Sequence, residues 1–404
     1  MVPPAARAVV AAATEVAEGT SSMRFQIIVV TGLMVVASAG FAAVSEAAVL
    51  PEERIDVMYH YYDGGGITVE GPSVLVRKQF GESFSVQGKY HVDTISGASI
   101  DVITTASPYR EERTEIAGTV DYLRGDTLLS FGVVRSDEND YKGRSFNIGV
   151  SQEMFAAMTT LSMGYVRGSD EIGRTGEPDF LEELDRHSWR LGVTQVVTRN
   201  MLAELSFETI TDKGFLNNPY RQVRYLDPEP GRGYSFQPEV YPRRRTSNAV
   251  ALRTRYHLPY RAAVHAEYRY FSDDWGIDAH AARIGYTHAT LPRLILDIQY
   301  RYYTQGAADF WSDLYPFRSA QNFLARDKEL SRYDSHAVRL GVSYDLLRSR
   351  MAFIERGTVN FVYDWITADY RDFRDLRVSA ESPGEEPTYS LSANVFQLYF
   401  SFWF

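Results

Sequence analysis

From about residue 50 onward, apolar and polar residues alternate in runs of roughly ten, the length of a tilted strand crossing a bilayer, and no helical period is sustained. Because strand side chains point to opposite faces in turn, each run has one greasy face and one polar face. Leu294, Leu296, Ile298, Tyr300 and Tyr302 oppose Asp297, Gln299, Arg301 and Tyr303. His336, Val338, Leu340, Val342 and Tyr344 oppose Arg339, Gly341, Ser343 and Asp345. Val359, Phe361, Tyr363 and Trp365 form a third such face, and Val264, Ala266, Tyr268 and Tyr270 a fourth. The final run, Phe396 to Phe404 (FQLYFSFWF), sets five apolar side chains on one face and ends on an aromatic residue. Lipid is the cover that such a terminal strand requires. Phe400, Phe402 and Phe404 are therefore read as the signal by which barrel-assembly machinery recognises an outer-membrane protein.

The runs predict sixteen strands at 54–62, 67–79, 83–95, 112–123, 127–135, 141–151, 159–168, 187–198, 201–211, 246–258, 262–272, 277–289, 293–305, 333–347, 357–370 and 390–404. Even-numbered strands end in short breaks such as Arg124-Gly125-Asp126, Arg199-Asn200 and Leu291-Pro292, whereas many odd-numbered ones end in long breaks. Bacterial barrels have short periplasmic turns and long outer loops. The fold class is thus an all-β, transmembrane antiparallel β-barrel with both termini periplasmic. Fourteen strands is the rival count, reached if the first hairpin around Gly64-Gly65-Gly66 is not formed. The outer loops are placed at 96–111, 169–186, 212–245, 306–332 and 371–389. Loop 212–245, with Pro219, Pro228, Pro230, Pro238 and Pro242, reads as irregular extended chain rather than another hairpin. Loop 306–332 is unusually apolar for an exposed segment and is expected to fold into the lumen, pack on its own aromatic residues at the rim, or dock a partner.

Composition agrees with this reading. The chain is 45% hydrophobic with a mean hydropathy of -0.27, too polar for a bundle of membrane helices but suited to strands of which only alternate residues meet lipid. The 27 Tyr and 22 Phe supply strand residues and interfacial aromatic girdles. Absence of cysteine excludes a disulfide scaffold and a thiolate metal site and fits an oxidising periplasm. A formal net charge of -10 is the opposite of a nucleic-acid footprint. Residues 1–47 read as a signal peptide with a misassigned upstream start, Met23 being the expected true start. Arg24 precedes the apolar stretch Phe25 to Val36, and small residues follow it. Residues 48–404 form a single barrel domain.

Candidate chemistry lies on the polar faces. Arg253, Arg255, Arg269, Arg283, Arg301 and Arg339 share one wall of the lumen with Glu267, Asp297 and Asp345. A basic wall favours anions; acids among the bases equally predict an ion-paired, rigid filling. The eight histidines are scattered singly, with no spacing that holds a nucleophile to a base and no metal-ligand pattern. No cofactor is called for, no metal site is expected, and no catalytic set is apparent. Acidic clusters such as Asp137, Glu138 and Asp140 are either solvated surface or points of contact with cations that bridge lipopolysaccharide.

Tyr90 to Arg113 (YHVDTISGASIDVITTASPYREER) departs from simple alternation. With Asp63-Gly64-Gly65-Gly66, the run Gly71 to Lys78 and Asp121-Tyr122-Leu123-Arg124-Gly125, it resembles the signature of an uncharacterised bacterial family, domain of unknown function 3570. The resemblance extends over roughly 50–404. It implies an outer-membrane barrel without an established substrate and a link to periplasmic flavin-transfer proteins and electron transfer, although no redox site is visible in this chain. In the residues themselves, Asp93, Asp101, Arg110 and Arg113 could latch the segment into the lumen through charge-assisted hydrogen bonds; an ordinary structured outer loop is the other reading. The functional expectation is a pore or transport channel for small polar or anionic solutes in the outer membrane of a Gram-negative bacterium, in contact with lipid and lipopolysaccharide. The alternative is a non-conducting scaffold that docks a periplasmic lipoprotein or redox protein. Oligomeric state is left open.

Overall fold

The computed structural model describes residues 49–97, 109–229, 231–347 and 354–404. The inferred signal peptide and start site, and Asp101 of the inferred latch, lie outside the described residues. Sixteen antiparallel strands close into one barrel. In chain order they are β1 (Arg54–Gly64), β2 (Ile67–Phe80), β3 (Phe84–Gly97), β4 (Tyr109–Arg124), β5 (Thr127–Asp137), β6 (Tyr141–Met154), β7 (Thr159–Ile172), β8 (Glu182–Thr198) and β9 (Met201–Gly214). After a separate two-stranded sheet, β10 (Gln222–Leu226) and β11 (Tyr234–Pro238), the barrel resumes with β12 (Arg244–Leu258), β13 (Ala262–Asp273), β14 (Asp278–Leu291), β15 (Leu294–Gln305), β16 (Tyr333–Leu347), β17 (Arg356–Arg374) and β18 (Thr388–Trp403). Each barrel strand pairs with its neighbour in sequence, β9 pairs with β12, and β18 closes on β1 from Arg54↔Trp403 to Gly64↔Ala393.

The sixteen-strand count holds because the first hairpin forms. Gly64 pairs with Ile67, so the turn is Gly65-Gly66, with φ of 62° and 85°. Two consecutive positive φ values match the twist of a hairpin, and glycine adopts them without a Cβ penalty. The expectation that 212–245 holds no hairpin is overturned. Pro219, Pro228 and Pro242 lie outside β10 and β11, and Pro238 is the last residue of β11, at the terminal pair opposite Gln222, where little of the ladder depends on its missing N–H. Several strands also run further than the alternation indicated, β8 from Glu182 and β17 to Arg374, so the wall is taller at the end opposite the termini.

The alternation resolves into an apolar exterior and a polar interior. On β18, Phe396, Leu398 and Phe400 are exposed outward, whereas Val395, Gln397, Tyr399 and Ser401 are buried inward. The exterior also carries aromatic pairs near the end opposite the termini. The Tyr165, Tyr268 and Tyr300 hydroxyls each lie 2.7 Å from the Nδ1 of His187, His280 and His336. These amphipathic rings suit a membrane interface. Replacing Leu398 by Arg places a charge on the outward apolar face and should cost about 2–4 kcal/mol if that face meets the bilayer midplane, measured as a lowered urea midpoint in lipid vesicles. Leu398→Tyr should be nearly neutral. Equal tolerance of both would show that the face is not in hydrocarbon.

Candidate functional site

The lumen wall of β9 and β12–β15 carries a row of charges set by strand register. Glu204 pairs with Arg253, Arg253 with Glu267, Glu267 with Arg283, and Arg283 with Arg301. Directly opposed side chains in adjacent strands lie about 5 Å apart at Cβ, so alternating signs interlock. Arg253 donates to Glu204 at 2.9 Å and to Glu267 at 3.0 Å, and Arg283 lies 3.5 Å from Glu267. The alternation breaks at Arg301, which faces another arginine, and its Nε has no hydrogen-bond partner among the described residues. Like charges held opposite each other are destabilising.

The other predicted lumen residues are distributed above and below this row. Arg269 reaches Glu208 at 3.4 Å over the small, buried Ala249 and Ala251. Arg339 forms a two-pronged pair with Asp364 at 2.9 and 3.0 Å and is buried with it. Asp297 accepts from the Thr287 hydroxyl at 2.6 Å. Arg255 lies opposite His265, and Asp345 opposite Thr358 near the terminal end of β16. Sequence reasoning missed Glu204, Glu208 and Asp364. All three occupy inward positions of predicted strands, so parity alone could have found them. The row is partly solvated: Arg253, Arg269 and Arg283 keep 29%, 27% and 20% of their side-chain surface, against 4% for Arg339.

Above the row, at the end opposite the termini, the long loops form a cap. Segment 306–332 extends the β10–β11 sheet at two edges. Leu226 N–H donates to Tyr315 O and Tyr315 N–H to Arg224 O, each at 2.9 Å, while Val240 and Leu324 exchange backbone bonds at 2.9 and 2.7 Å. Tyr315 is fully buried, its hydroxyl 2.7 Å from Phe310 O. Ile172, Leu184, Leu216, Tyr241, Trp275 and Phe310, among others, make one apolar core between the loops and the strand ends. Phe373 and Tyr389, at the ends of β17 and β18, pack with Trp311 in another. Lys328 and Glu329 come within electrostatic reach of Tyr62 on β1, so this segment bridges from the β15–β16 side to the closing seam.

The loops are locked by charge. Arg224, with no exposed surface, donates to both carboxylate oxygens of Glu386 at 2.6 and 3.0 Å and to Asp313 O at 3.0 Å, and its guanidinium also pairs with the Asp313 carboxylate. Asp313 further accepts from Arg326 Nε at 3.0 Å and from Arg374 N–H at 3.1 Å. Arg326 stacks 4.3 Å above the Phe373 ring and donates its backbone N–H to Glu239 at 2.7 Å. Two carboxylates, Asp313 and Glu386, and two arginines, Arg224 and Arg326, thus join the three loops 212–245, 306–332 and 371–389. Segment 306–332 therefore packs on apolar residues of the neighbouring loops and strand ends as well as on its own.

Of the inferred latch, Asp93 lies inward on β3 and Arg113 inward on β4, directly paired in register, with Arg113 Nη1 3.9 Å from Asp93. Arg110 is in the first turn of pairing of β4, opposite Ser96. Asp93 instead takes two short contacts that scattered histidines did not foretell: His60 Nε2 at 2.8 Å and His91 Nε2 at 2.9 Å, both to Oδ1. His91-x-Asp93 was a same-face pair visible in the sequence; His60 joins only through the register of two strand pairings.

Residues 100–187 and 181–354 match the family model described as "Protein of unknown function (DUF3570)". The chain belongs to this family. Comparison with curated proteins finds no match. Among solved structures, the chain is similar to OmpT, an outer membrane protein of Vibrio cholerae (12% identity, 88% of this chain and 99% of that one, TM-score 0.40). It is also similar to a Pseudomonas aeruginosa FadL homologue (9%, 88% and 91%, TM-score 0.44) and to OccK7 of the same organism (10%, 87% and 98%, TM-score 0.42). In this member of the DUF3570 family the charge lock of the cap includes a carboxyl with a depressed pKa, Glu386. Burial would raise the Glu386 carboxyl, but the Arg224 fork and the Gly384 N–H hold it below its usual range. A depressed carboxylate stabilises the fold above its ordinary pKa of about 4.3 and loses that contribution as pH falls through its lowered folded value. Pepsin should therefore cut within 306–332 increasingly as pH drops below about 4, while β-sheet circular dichroism is retained. Loss of cap and barrel at one common pH would contradict a separable lock.

Proposed function

We propose that the protein is a gated outer-membrane channel for small polar or anionic solutes, its capped end outward and its termini in the periplasm. The observation that carries this reading is the partly solvated row Glu204–Arg253–Glu267–Arg283–Arg301 inside a sixteen-stranded wall, wide enough for an aqueous path. Fully dry pairs such as Arg339–Asp364 fill space, but side chains that keep a fifth or more of their surface within the lumen border water. The uncompensated position of Arg301 gives the path an anionic preference, and the cap sets the resting conductance. Short turns at the terminal end and long loops at the other support the stated orientation.

A second reading draws on the cap's outer surface, where Phe317, Phe323, Leu226 and Val240 are exposed. Such a patch suits docking of a protein partner onto a non-conducting barrel.

Planar-bilayer recordings distinguish these readings. Wild-type protein should show small or infrequent conductance steps, and Arg224→Ala, which frees Asp313 and Glu386 from their shared cation, should raise open probability several-fold. Arg301→Gln should shift the reversal potential toward cation preference under a salt gradient, and Arg339→Gln should shift it far less. Silence in wild type and in Arg224→Ala alike would reject the channel and favour docking.

A further inference from the structure

The wall opposite the arginine row holds a feature that conduction does not use. His60 on β1 pairs with Gly71 on β2, and the β2–β3 pairing on either side, Glu70↔Thr94 and Ser73↔His91, carries Gly71 against Asp93. A Cβ at residue 71 would come within 1.8 Å of Val92 O. Glycine thus lets the β3 backbone come close, and with no side chain at residue 71 the His60 ring of β1 reaches His91 and Asp93 of β3 across β2. His60, His91 and Asp93 are 1%, 1% and 7% exposed. The two imidazole rings stack with centroids 5.1 Å apart and planes inclined by 19°.

As a hydrogen-bonded cluster this arrangement is poorly satisfied. Both Nε2 atoms converge on one oxygen, Asp93 Oδ1, so each ring must carry its proton on Nε2 to donate. That leaves each Nδ1 as a bare acceptor, and both are buried without a partner among the described residues. Unmet buried acceptors are costly. One ligand atom from each of the three residues lies within 4.8 Å of the other two. Two imidazole nitrogens and a carboxylate oxygen are a donor set that suits Zn²⁺ and its first-row neighbours. With metal–ligand bonds of about 2.0–2.2 Å, a tetrahedral site needs ligand atoms roughly 3.3 Å apart, so the contacts of 2.8 and 2.9 Å have only to open slightly.

The charges around the cluster are arranged in opposed pairs. Glu115 accepts from both Arg113 and Lys89, at 3.0 and 3.1 Å, so one carboxylate is shared by two cations beside the site. Glu138 approaches Arg113 Nε at 3.7 Å and groups with Glu111 and Asp140 on the loop side. Burial, with smaller contributions from Glu111, Asp140 and Asp93, pushes the Glu138 carboxyl up to about 7 against the pull of Arg113.

We propose that His60, His91 and Asp93 form a binding site for a divalent transition metal of the Zn²⁺ class, ligated through the two Nε2 atoms and the Asp93 carboxylate. Binding replaces the two Nε2 protons by the metal; each ring keeps one proton by moving it to Nδ1, which turns from acceptor to donor, and Asp93 stays ionised, so the gain comes from the metal–ligand bonds and no redox change or proton source is needed. This inference does not rest on the lumen being conductive.

The test uses full-length protein, folded in detergent and stripped with chelator, titrated with Zn²⁺ alone by calorimetry and with Co²⁺ alone by absorption. One equivalent should bind, Co²⁺ should give the intense visible bands of a four-coordinate site, and His60→Gln or His91→Gln should weaken binding at least 100-fold. His280→Gln and His336→Gln, on the outer face, should leave it unchanged. Heat-modifiable gel mobility reports whether each variant forms the barrel. If the inner variants do not fold, the wild-type Co²⁺ spectrum decides alone: four-coordinate bands at one equivalent support the site. Absence of those bands, or binding lost equally in the outer-face variants, overturns it.

Discussion

Hydrocarbon offers peptide groups no water, so a strand in a bilayer must have a paired neighbour on both sides. Everything else in this chain depends on that requirement being met at one seam. β18 closes on β1 over eleven residue pairs, from Arg54↔Trp403 to Gly64↔Ala393, and removes the only two edges the sheet would otherwise expose. Closure also fixes parity. A shift of one residue anywhere would turn an apolar face to the lumen and its polar face to lipid, so the seam selects one register for the whole wall.

Once register is fixed, lumen chemistry follows as rows perpendicular to the strands. The charged row on β9 and β12–β15 exists because Glu204, Arg253, Glu267, Arg283 and Arg301, up to forty-nine residues apart between direct partners, fall at one height. The same rule joins His60 to Asp93 across β2, where the intervening residue has no side chain. Rows of this kind are cheap to build in a closed sheet, since the backbone pairing has already brought the groups together and little further ordering is required.

This explains what could be read in advance. Strand positions, facing and the count of sixteen were legible because they depend on local alternation and turn residues, as in Leu294 to Tyr302 and Gly65-Gly66. The inward arginines were legible for the same reason. Their partners were not, because assigning Glu204 to Arg253 or Asp364 to Arg339 needs the register between strands, which local pattern does not contain. The β10–β11 hairpin was missed because the prolines of 212–245 were weighed by number, whereas their positions at the ends of the strands decide the outcome. Arg224, the most buried arginine of the cap, gave no local sign, since its partners Asp313 and Glu386 are 89 and 162 residues away.

The closed wall further restricts where motion can occur. Separating two barrel strands would expose a ladder of unpaired peptide groups to lipid, at several kcal/mol for each group. Conformational change in such a protein therefore belongs to the loops, and here they are joined in two different ways. The apolar core around Tyr241, Trp275 and Phe310 supplies non-directional cohesion. The Arg224–Asp313–Glu386–Arg326 knot supplies geometry, because each guanidinium fork fits its carboxylate in one orientation. Loss of the Glu386 charge would remove one partner of the second without touching the first. A cap held by both can loosen and re-form in the same place, whereas one held by apolar packing alone would have no comparable point of control.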